Sequence, residues 1–206
     1  MTNYSIYHIT HIDNLQSIIS DGALWCDRER INRNPPHTNV GYKHIKERRL
    51  KHPVAVAKLG FLGDYVPFNF CCRSVMLYVI FKGHDEYIGG QDSIVHLVSS
   101  IEQIRATGQP SFWTDRHADL QYAKQYDTLE KIKSELDFTV MPLKIWSPNT
   151  ETKEKRQAEF LVHSHCPWTA IEKIVVKNQA MADKVDVIIR KSAHRPQIIV
   201  NGDCYY

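Results

Sequence analysis

Arg156-Gln157-Ala158-Glu159-Phe160-Leu161-Val162 sets one carboxylate at the mouth of an apolar, strand-like segment, with the basic residues Lys153, Lys155 and Arg156 just before it. A carboxylate carried into a hydrophobic strand must be ion-paired, hydrogen-bonded or used in chemistry, because burying it bare is expensive. Glu159 is therefore the leading candidate for a working residue, and Glu159 to Val162 reads as a strand.

Working outward, short strands with irregularly placed helices account for most of the chain. Ser5 to Thr10 is β-rich, Asp13 is an expected N-cap, and Asn14 to Ser20 carries Leu15, Ile18 and Ile19 at helical spacing before Asp21-Gly22 closes the helix. Asn32 to Val40, with Asn34-Pro35-Pro36, reads as a loop, and a basic helix runs from Tyr42 to Leu50 before Pro53. Val75 to Phe81 is a continuous apolar run of strand length and reads as a buried strand. Ile94 to Val98 is a further strand, Ile101 to Ala106 a helix after Ser99-Ser100, and Phe112 to Asp115 a strand entering a turn. A helical pattern follows through Ala118, Tyr122 and Ala123 and again over Leu129 to Leu136. Asp137 to Ser147 leads into a turn-rich loop, Trp146-Ser147-Pro148-Asn149-Thr150, expected to be exposed. Ile171 to Val176 reads as a strand, Gln179 to Val185 as a small helix, and Val187 to Arg190 and Gln197 to Val200 as late edge strands. More strands than long helices, in no regular alternation, imply an α+β fold. The 206 residues fit a single domain over 1–206.

Apolar residues make up 43% and charged residues 24%, with a formal charge of +3, which is ordinary for a globular protein and neither demands nor excludes nucleic acid. The local distribution says more. Lys43, Lys46, Arg48, Arg49 and Lys51 form one basic group and Lys153, Lys155 and Arg156 another. Two such groups meeting in one groove would attract phosphates, whereas apart they are solvated surface. The five cysteines are odd in number and form no CxxC pair, and Met1-Thr2-Asn3 opens no secretory leader, so reduced thiols and a cytoplasmic setting are expected. No apolar run approaches the roughly 18 residues of a membrane span. His163-Ser164-His165-Cys166 is the only cluster of metal-like composition, and its members cannot easily face one tetrahedral ion, so no metal is expected.

His8 and Thr10 lie on one face of the first strand, since strand side chains repeat every two residues, and with Asn14 they could hold a ribose or an amide. A half-exposed first strand would look the same. Around Tyr65-Val66-Pro67-Phe68 and Arg73 to Tyr78, aromatics could stack on a planar ring and Arg73 could hold a phosphate. Phe68, Leu77 and Tyr78 read equally well as core.

Taken in order, these pieces resemble a family. Tyr7-His8-Ile9-Thr10 with Asn14-Leu15, Ile45-Lys46-Glu47-Arg48-Arg49, Val66-Pro67-Phe68 with Arg73-Ser74 and Met76-Leu77-Tyr78, Thr114-Asp115 with Ala118, and Arg156 to Val162 together look like the DarT-type DNA ADP-ribosyltransferase toxins. The resemblance runs from about Tyr4 to Val176. It implies a compact fold like that of the poly-ADP-ribose polymerases, with a split mixed sheet clasping NAD, and transfer of ADP-ribose from NAD to a base, thymine in the best-known branch, in single-stranded DNA. It implies Glu159 as the catalytic glutamate and Arg49 as the second catalytic residue, with Arg48 competing for that place. His8, Thr10, Asn14, Arg49, Phe68, Arg73 and Met76 are the implied NAD-binding residues. Arg48, Trp146, Lys153, Lys155 and Arg156 are the implied DNA contacts. The implied setting is a bacterial toxin–antitoxin pair, with a macrodomain antitoxin as partner, NAD consumed as co-substrate, and no metal.

The chemistry suits one glutamate. Breaking the nicotinamide–ribose bond leaves an oxocarbenium-like sugar, which a nearby carboxylate stabilises mainly in the transition state. Glycoside hydrolases in general use a carboxylate pair instead. A single-stranded acceptor fits because a duplex hides the base-pairing edge. Glu159 could also accept the thymine proton. Two readings compete: Gln157-Ala158-Glu159 spells the Q-x-E of arginine-modifying transferases, and a non-catalytic nucleic-acid-binding module would share the basic groups. The chain lacks the early arginine strand and the Ser-Thr-Ser strand of the former, and the latter has no need of Glu159. Arg116 departs from the family pattern, standing where a small residue is expected.

Overall fold

A computed structural model describes residues 4–56, 59–146 and 148–206. Met1-Thr2-Asn3 and Ser147, on which two expectations above touch, lie outside the described residues. Strand β1 (Ser5–His11) and the three residues β2 (Ala23–Trp25) flank helix α1 (Leu15–Asp21). Helices α2 (Asp27–Arg33) and α3 (Lys43–Arg49) precede β3 (Tyr65–Asn69), and α4 (Val75–Gly83) precedes β4 (Ile94–Ser100). Then come α5 (Ile101–Ala106), β5 (Ser111–Thr114), β6 (Gln125–Tyr126), α6 (Ile132–Glu135), α7 (Thr150–Lys155) and β7 (Glu159–His163). The chain finishes with β8 (His165–Pro167), β9 (Lys173–Val176), α8 (Gln179–Ile189) and β10 (Gln197–Val200).

Among the described residues, eight strands form one sheet in the order β10-β9-β4-β1-β3-β7-β5-β6, and β2 and β8 form a separate ribbon. Neighbours are antiparallel except β9 and β10, so the sheet is mixed and the α+β expectation holds. β1 lies along β4 in unbroken register from Ser5↔Ser100 to His11↔Ile94. It meets β3 at only one aligned pair, Tyr7↔Asn69, and the sheet splits there. Beyond the split, β3 and β7 pair from Tyr65↔His163 to Asn69↔Glu159, which brings Glu159 to the edge of the opening.

Both faces are covered, so β4 is buried along its whole length. Val95 and Leu97 join the larger core with Ile6, Phe68 and Phe160, while Ile94 and Val98 pack with Leu77 and Ile80 of α4. This is period-two alternation with an apolar layer on either side.

Four expectations are corrected. Val75 to Phe81 is helix, not strand. The Ser74 hydroxyl accepts from the Leu77 N–H at 3.2 Å, capping α4, and Val75, Leu77 and Ile80 are its buried residues. Val187 to Arg190 is not a strand either: the Asn178 side chain caps α8, which continues to Ile189 with Met181, Ala182, Val185 and Ile189 on its buried face. The helix expected through Ala118 and Leu129 to Leu136 is reduced to the short α6. The chain instead doubles back as the β5–β6 hairpin, where Trp113 stacks on Tyr126 with ring centroids 4.2 Å apart. Asp13 is not a helix cap; it sits inside a 3-10 turn, Ile12–Asn14, leading into α1.

The cysteines also differ from expectation. Cys72 and Cys204, 132 residues apart, form a disulfide with Cα atoms at 5.2 Å, brought together by the C-terminal tail packing beside α4. Cys26, Cys71 and Cys166 are buried thiols.

Helix α3 ends against a close backbone approach. A Cβ added at Gly63 would meet the Leu50 Cδ2 at 2.7 Å and the Leu50 Cα at 2.9 Å. Gly63→Ala should therefore lower stability by about 1–3 kcal/mol in urea unfolding, because backbone cannot step aside as a side-chain tip can. An unchanged midpoint would show that α3 yields freely.

Candidate active site

The split opens into a cavity of about 410 Å³. His8 and Thr10 of β1, Pro67 and Asn69 of β3, Met76 of α4, Lys46 and Arg49 of α3, and Glu159 of β7 line it. Asn14 does not line it. Its amide donates to the Thr10 hydroxyl (3.0 Å) and the Thr38 carbonyl (3.0 Å) and accepts from the Thr38 N–H (2.8 Å), pinning the loop that includes His37 over the opening.

Arg49 and Glu159 face each other inside the cavity, 6% and 4% exposed. Arg49 Nη1 donates to Glu159 Oε1 at 3.0 Å, and Nη2 lies 3.0 Å from Oε2. The Ala118 backbone N–H donates to the same Oε1 at 2.9 Å, and His117 Nε2 stands 3.9 Å from it. The Glu159 N–H in turn donates to the Thr114 hydroxyl at 3.2 Å, which fixes the residue from behind. Glu159 Oε2 is buried and makes no well-directed hydrogen bond, its near partner being Arg49 Nη2.

The electrostatics follow from this geometry. Burial raises the Glu159 carboxyl, but the charge of Arg49, then His117, the Arg49 hydrogen bond and the Ala118 N–H outweigh it and hold the carboxyl below its ordinary value. Burial works against the Arg49 charge, and Glu159 more than restores it. Burial also pulls down His8, opposed by the Pro67 carbonyl, which lies 2.8 Å from Nδ1. His37 is pulled down to about 4 by burial and by Arg30 and Lys46. The cavity thus holds an ionised Glu–Arg pair, and its His8 and His37 imidazoles are neutral at pH 7. Asp27 anchors its floor, 2.9 Å from Lys46 Nζ and 3.4 Å from Arg30 Nη2.

The other residues singled out in the sequence divide sharply. Successive helical residues point about 100° apart, so while Arg49 turns inward its neighbour Arg48 turns out to Asp119, at 2.6 Å. Lys153 lines the cavity lip. Lys155 is tied to Glu151 at 2.9 Å and Asp137 at 3.4 Å. Phe68 is fully buried in the core, its ring 5.7 Å from that of His8, so it supports a wall residue and does not line the wall. Arg73 lies outside the wall, donating to the Pro142 carbonyl at 3.2 Å and resting over the Tyr206 ring. Arg156 is not the surface cation expected. It is fully buried, and its guanidinium donates to the carbonyls of Val140 (2.5 Å), Met141 (2.5 Å) and Arg73 (2.8 Å). Trp146 is not exposed either: it is 3% exposed, packed edge-on to Tyr78 under Arg156. His117 and the Ala118 N–H were missed in the sequence. A strand ending at Thr114 beside the Glu159 strand was the available signal.

The family model described as "ssDNA thymidine ADP-ribosyltransferase, DarT" matches residues 7–206. The chain belongs to the DarT family. A DNA ADP-ribosyl transferase from Thermus sp. strain 2.9 is 43% identical over 204 residues, covering 98% of this chain and 95% of that one. Two solved DarT structures from Thermus sp. 2.9 superpose closely. The complex with ADP-ribosylated ssDNA has a TM-score of 0.92 at 42% identity, covering 98% and 96% of the two chains. The complex with NAD+ has a TM-score of 0.88 at 40% identity, covering 98% of each chain. The chain therefore has the DarT ADP-ribosyltransferase fold, and the split between β1 and β3 is the opening of its mixed sheet.

Two measurements test these assignments. Removing one partner of a buried ion pair strands the other, so Arg49→Ala should cost about 3 kcal/mol at pH 7. Because the folded Glu159 value is depressed, the stability it supplies is complete above its ordinary value of 4.5 and is lost as pH falls through the folded value. Urea unfolding should show the gap between wild type and Arg49→Ala narrowing below pH 4.5, and a constant gap would contradict the pairing. Arg156→Met orphans three carbonyls at once and should cost about 3 kcal/mol or more in the same assay, whether or not nucleic acid is present.

Proposed function

We propose that the chain binds NAD+ in the split-sheet cavity and transfers its ADP-ribose to a thymine base of single-stranded DNA, releasing nicotinamide. The observation that carries this reading is the buried Arg49–Glu159 pair set in a cavity walled by His8, Thr10 and Met76. The Thermus relatives named above, one solved with NAD+ and one with ADP-ribosylated ssDNA, support it.

In this proposal the bond between the ribose C1′ and the nicotinamide nitrogen breaks, and the leaving base takes the electron pair. The Glu159 carboxylate, held in place by Arg49, stabilises the positive charge that grows on the ribose. Its lowered pKa suits a fixed negative charge better than a proton acceptor. A thymine ring nitrogen attacks C1′, taking the place of the departing nicotinamide, and its proton passes to solvent. Arg49, always charged, aligns Glu159 and offsets the negative charge of the deprotonated base or of the pyrophosphate. His8 and Thr10 hold the NAD+ from the β1 side, and Met76 packs against it from α4. Arg48 and Lys153, which reach outward at the rim, take the DNA phosphates. Arg73, Phe68, Trp146 and Arg156 act indirectly, by shaping the walls. The bacterial cytoplasm, where NAD+ and transiently single-stranded DNA coexist, is the proposed setting, and a macrodomain antitoxin the proposed reversing partner. Among the described residues no helix is long and apolar enough to cross a membrane.

The test is incubation with NAD+ and thymine-containing or thymine-free single-stranded oligonucleotides, read by mass. Thymine oligonucleotides should gain one ADP-ribose, and Glu159→Gln, which keeps the side-chain shape, should lose about 10²-fold or more of the rate. Modification of a protein with every oligonucleotide unchanged would overturn the reading.

A further inference from the structure

Arg116, the departure from the family pattern noted in the sequence, stands at the centre of a cluster that no step above uses. Its Nε donates to Asp115 at 3.1 Å, its Nη1 to Glu154 Oε2 of α7 at 3.2 Å, and its guanidinium lies over the Tyr122 ring at 5.2 Å. The Tyr122 hydroxyl donates to the other Glu154 oxygen at 2.7 Å. Glu154 is thus gripped twice by one loop. The backbone of Arg116 leads back to the reaction centre: its carbonyl accepts from the Thr114 hydroxyl at 2.6 Å, and that hydroxyl accepts from the Glu159 N–H. The next two residues are His117, facing Glu159, and Ala118, whose N–H holds it.

The same loop is fastened at a second point. Asp119, its side chain 4% exposed, takes Arg48 at 2.6 Å and His52 at 3.3 Å. Residues 115–122 therefore form a wall with His117 on the NAD+ side, while Asp119 to Tyr122 line an open groove with Arg48 and Lys51 on the other. Glu159 touches the wall midway between the two fastenings.

We propose that Arg116, Glu154 and Tyr122 are positioning residues: they latch this wall to α7 and so set the position of the Ala118 N–H and His117 against Glu159 when the acceptor base enters from the groove. The inference rests on the DNA reading above. Arg116 and Glu154 side chains are each 22% exposed, and an ion pair open to water contributes little to global stability. Its effect belongs in the rate, where a small misplacement of a catalytic contact is amplified.

Steady-state transfer to a thymine-bearing single-stranded oligonucleotide, alongside thermal midpoints, tests this on the full chain. Arg116→Ala and Glu154→Ala should each lower kcat about tenfold with the KM for NAD+ within about twofold, and thermal midpoints should stay close to wild type. The double variant should be no slower than either single one, because both remove the same latch. Arg116→Lys keeps the charge but cannot fork between Asp115 and Glu154, and Tyr122→Phe removes only the hydroxyl bond, so both should fall between wild type and Arg116→Ala. Unchanged kcat in the single variants, additive losses in the double, or a loss that tracks a falling thermal midpoint would overturn the latch. A wild-type chain that modifies no oligonucleotide would overturn the DNA reading instead, which keeps the two failures apart.

Discussion

The structure turns on one buried ion pair. A carboxylate at the mouth of an apolar strand is tolerable only because Arg49, 110 residues earlier, reaches it with a guanidinium aligned at two points. Placing that arginine constrains much of the surrounding chain. Helix α3 must stop where it does, so Leu50 packs on the bare backbone of Gly63, and the Leu50 carbonyl accepts from Arg28 at 2.8 Å. Lys46, one turn back, is tied to Asp27, which fastens α3 to α2 and closes the cavity floor. Loosening any of these contacts would misplace the guanidinium before it disturbed the strand.

The pair also separates two kinds of charge. Inside, Arg49 is matched to a single acid and shielded from salt. Outside, Arg48, Lys51 and Lys153 stand in solvent, where their fields are screened over about 8 Å at physiological ionic strength. One helical step between Arg48 and Arg49 is enough to put one arginine on each side of this boundary.

Much of this was legible in the residues. The short strands from Ser5, Ile94 and Glu159 declared themselves by composition, and Glu159 by the cost of burying a bare carboxylate. The errors share a cause. Val75 to Phe81 has seven apolar residues in a row, which erases any period, so only the Ser74 cap distinguishes helix from strand. Val187 to Arg190 is rich in β-branched residues, yet it completes a helix whose buried face begins at Met181. Arg156 looked solvated because it follows two lysines. That three carbonyls converge on it is a fact of chain return, from residues 16, 15 and 83 positions away, and leaves no trace in local pattern. The pairing of Cys72 with Cys204 is hidden for the same reason.

The seam at Tyr7↔Asn69 has a mechanical meaning. The residues proposed to hold the nucleotide from β1 and those proposed to act on it from β7 belong to two plates of sheet, joined along their facing edges by one aligned pair and by the imidazole of His8 against the Pro67 carbonyl. Within each plate the ladders are longer, seven aligned pairs between β1 and β4 and five between β3 and β7. A dinucleotide spanning the gap would do what missing backbone bonds do not, acting as a strut between plates. The co-substrate would then be, while it lasts, part of the framework that aligns its own cleavage.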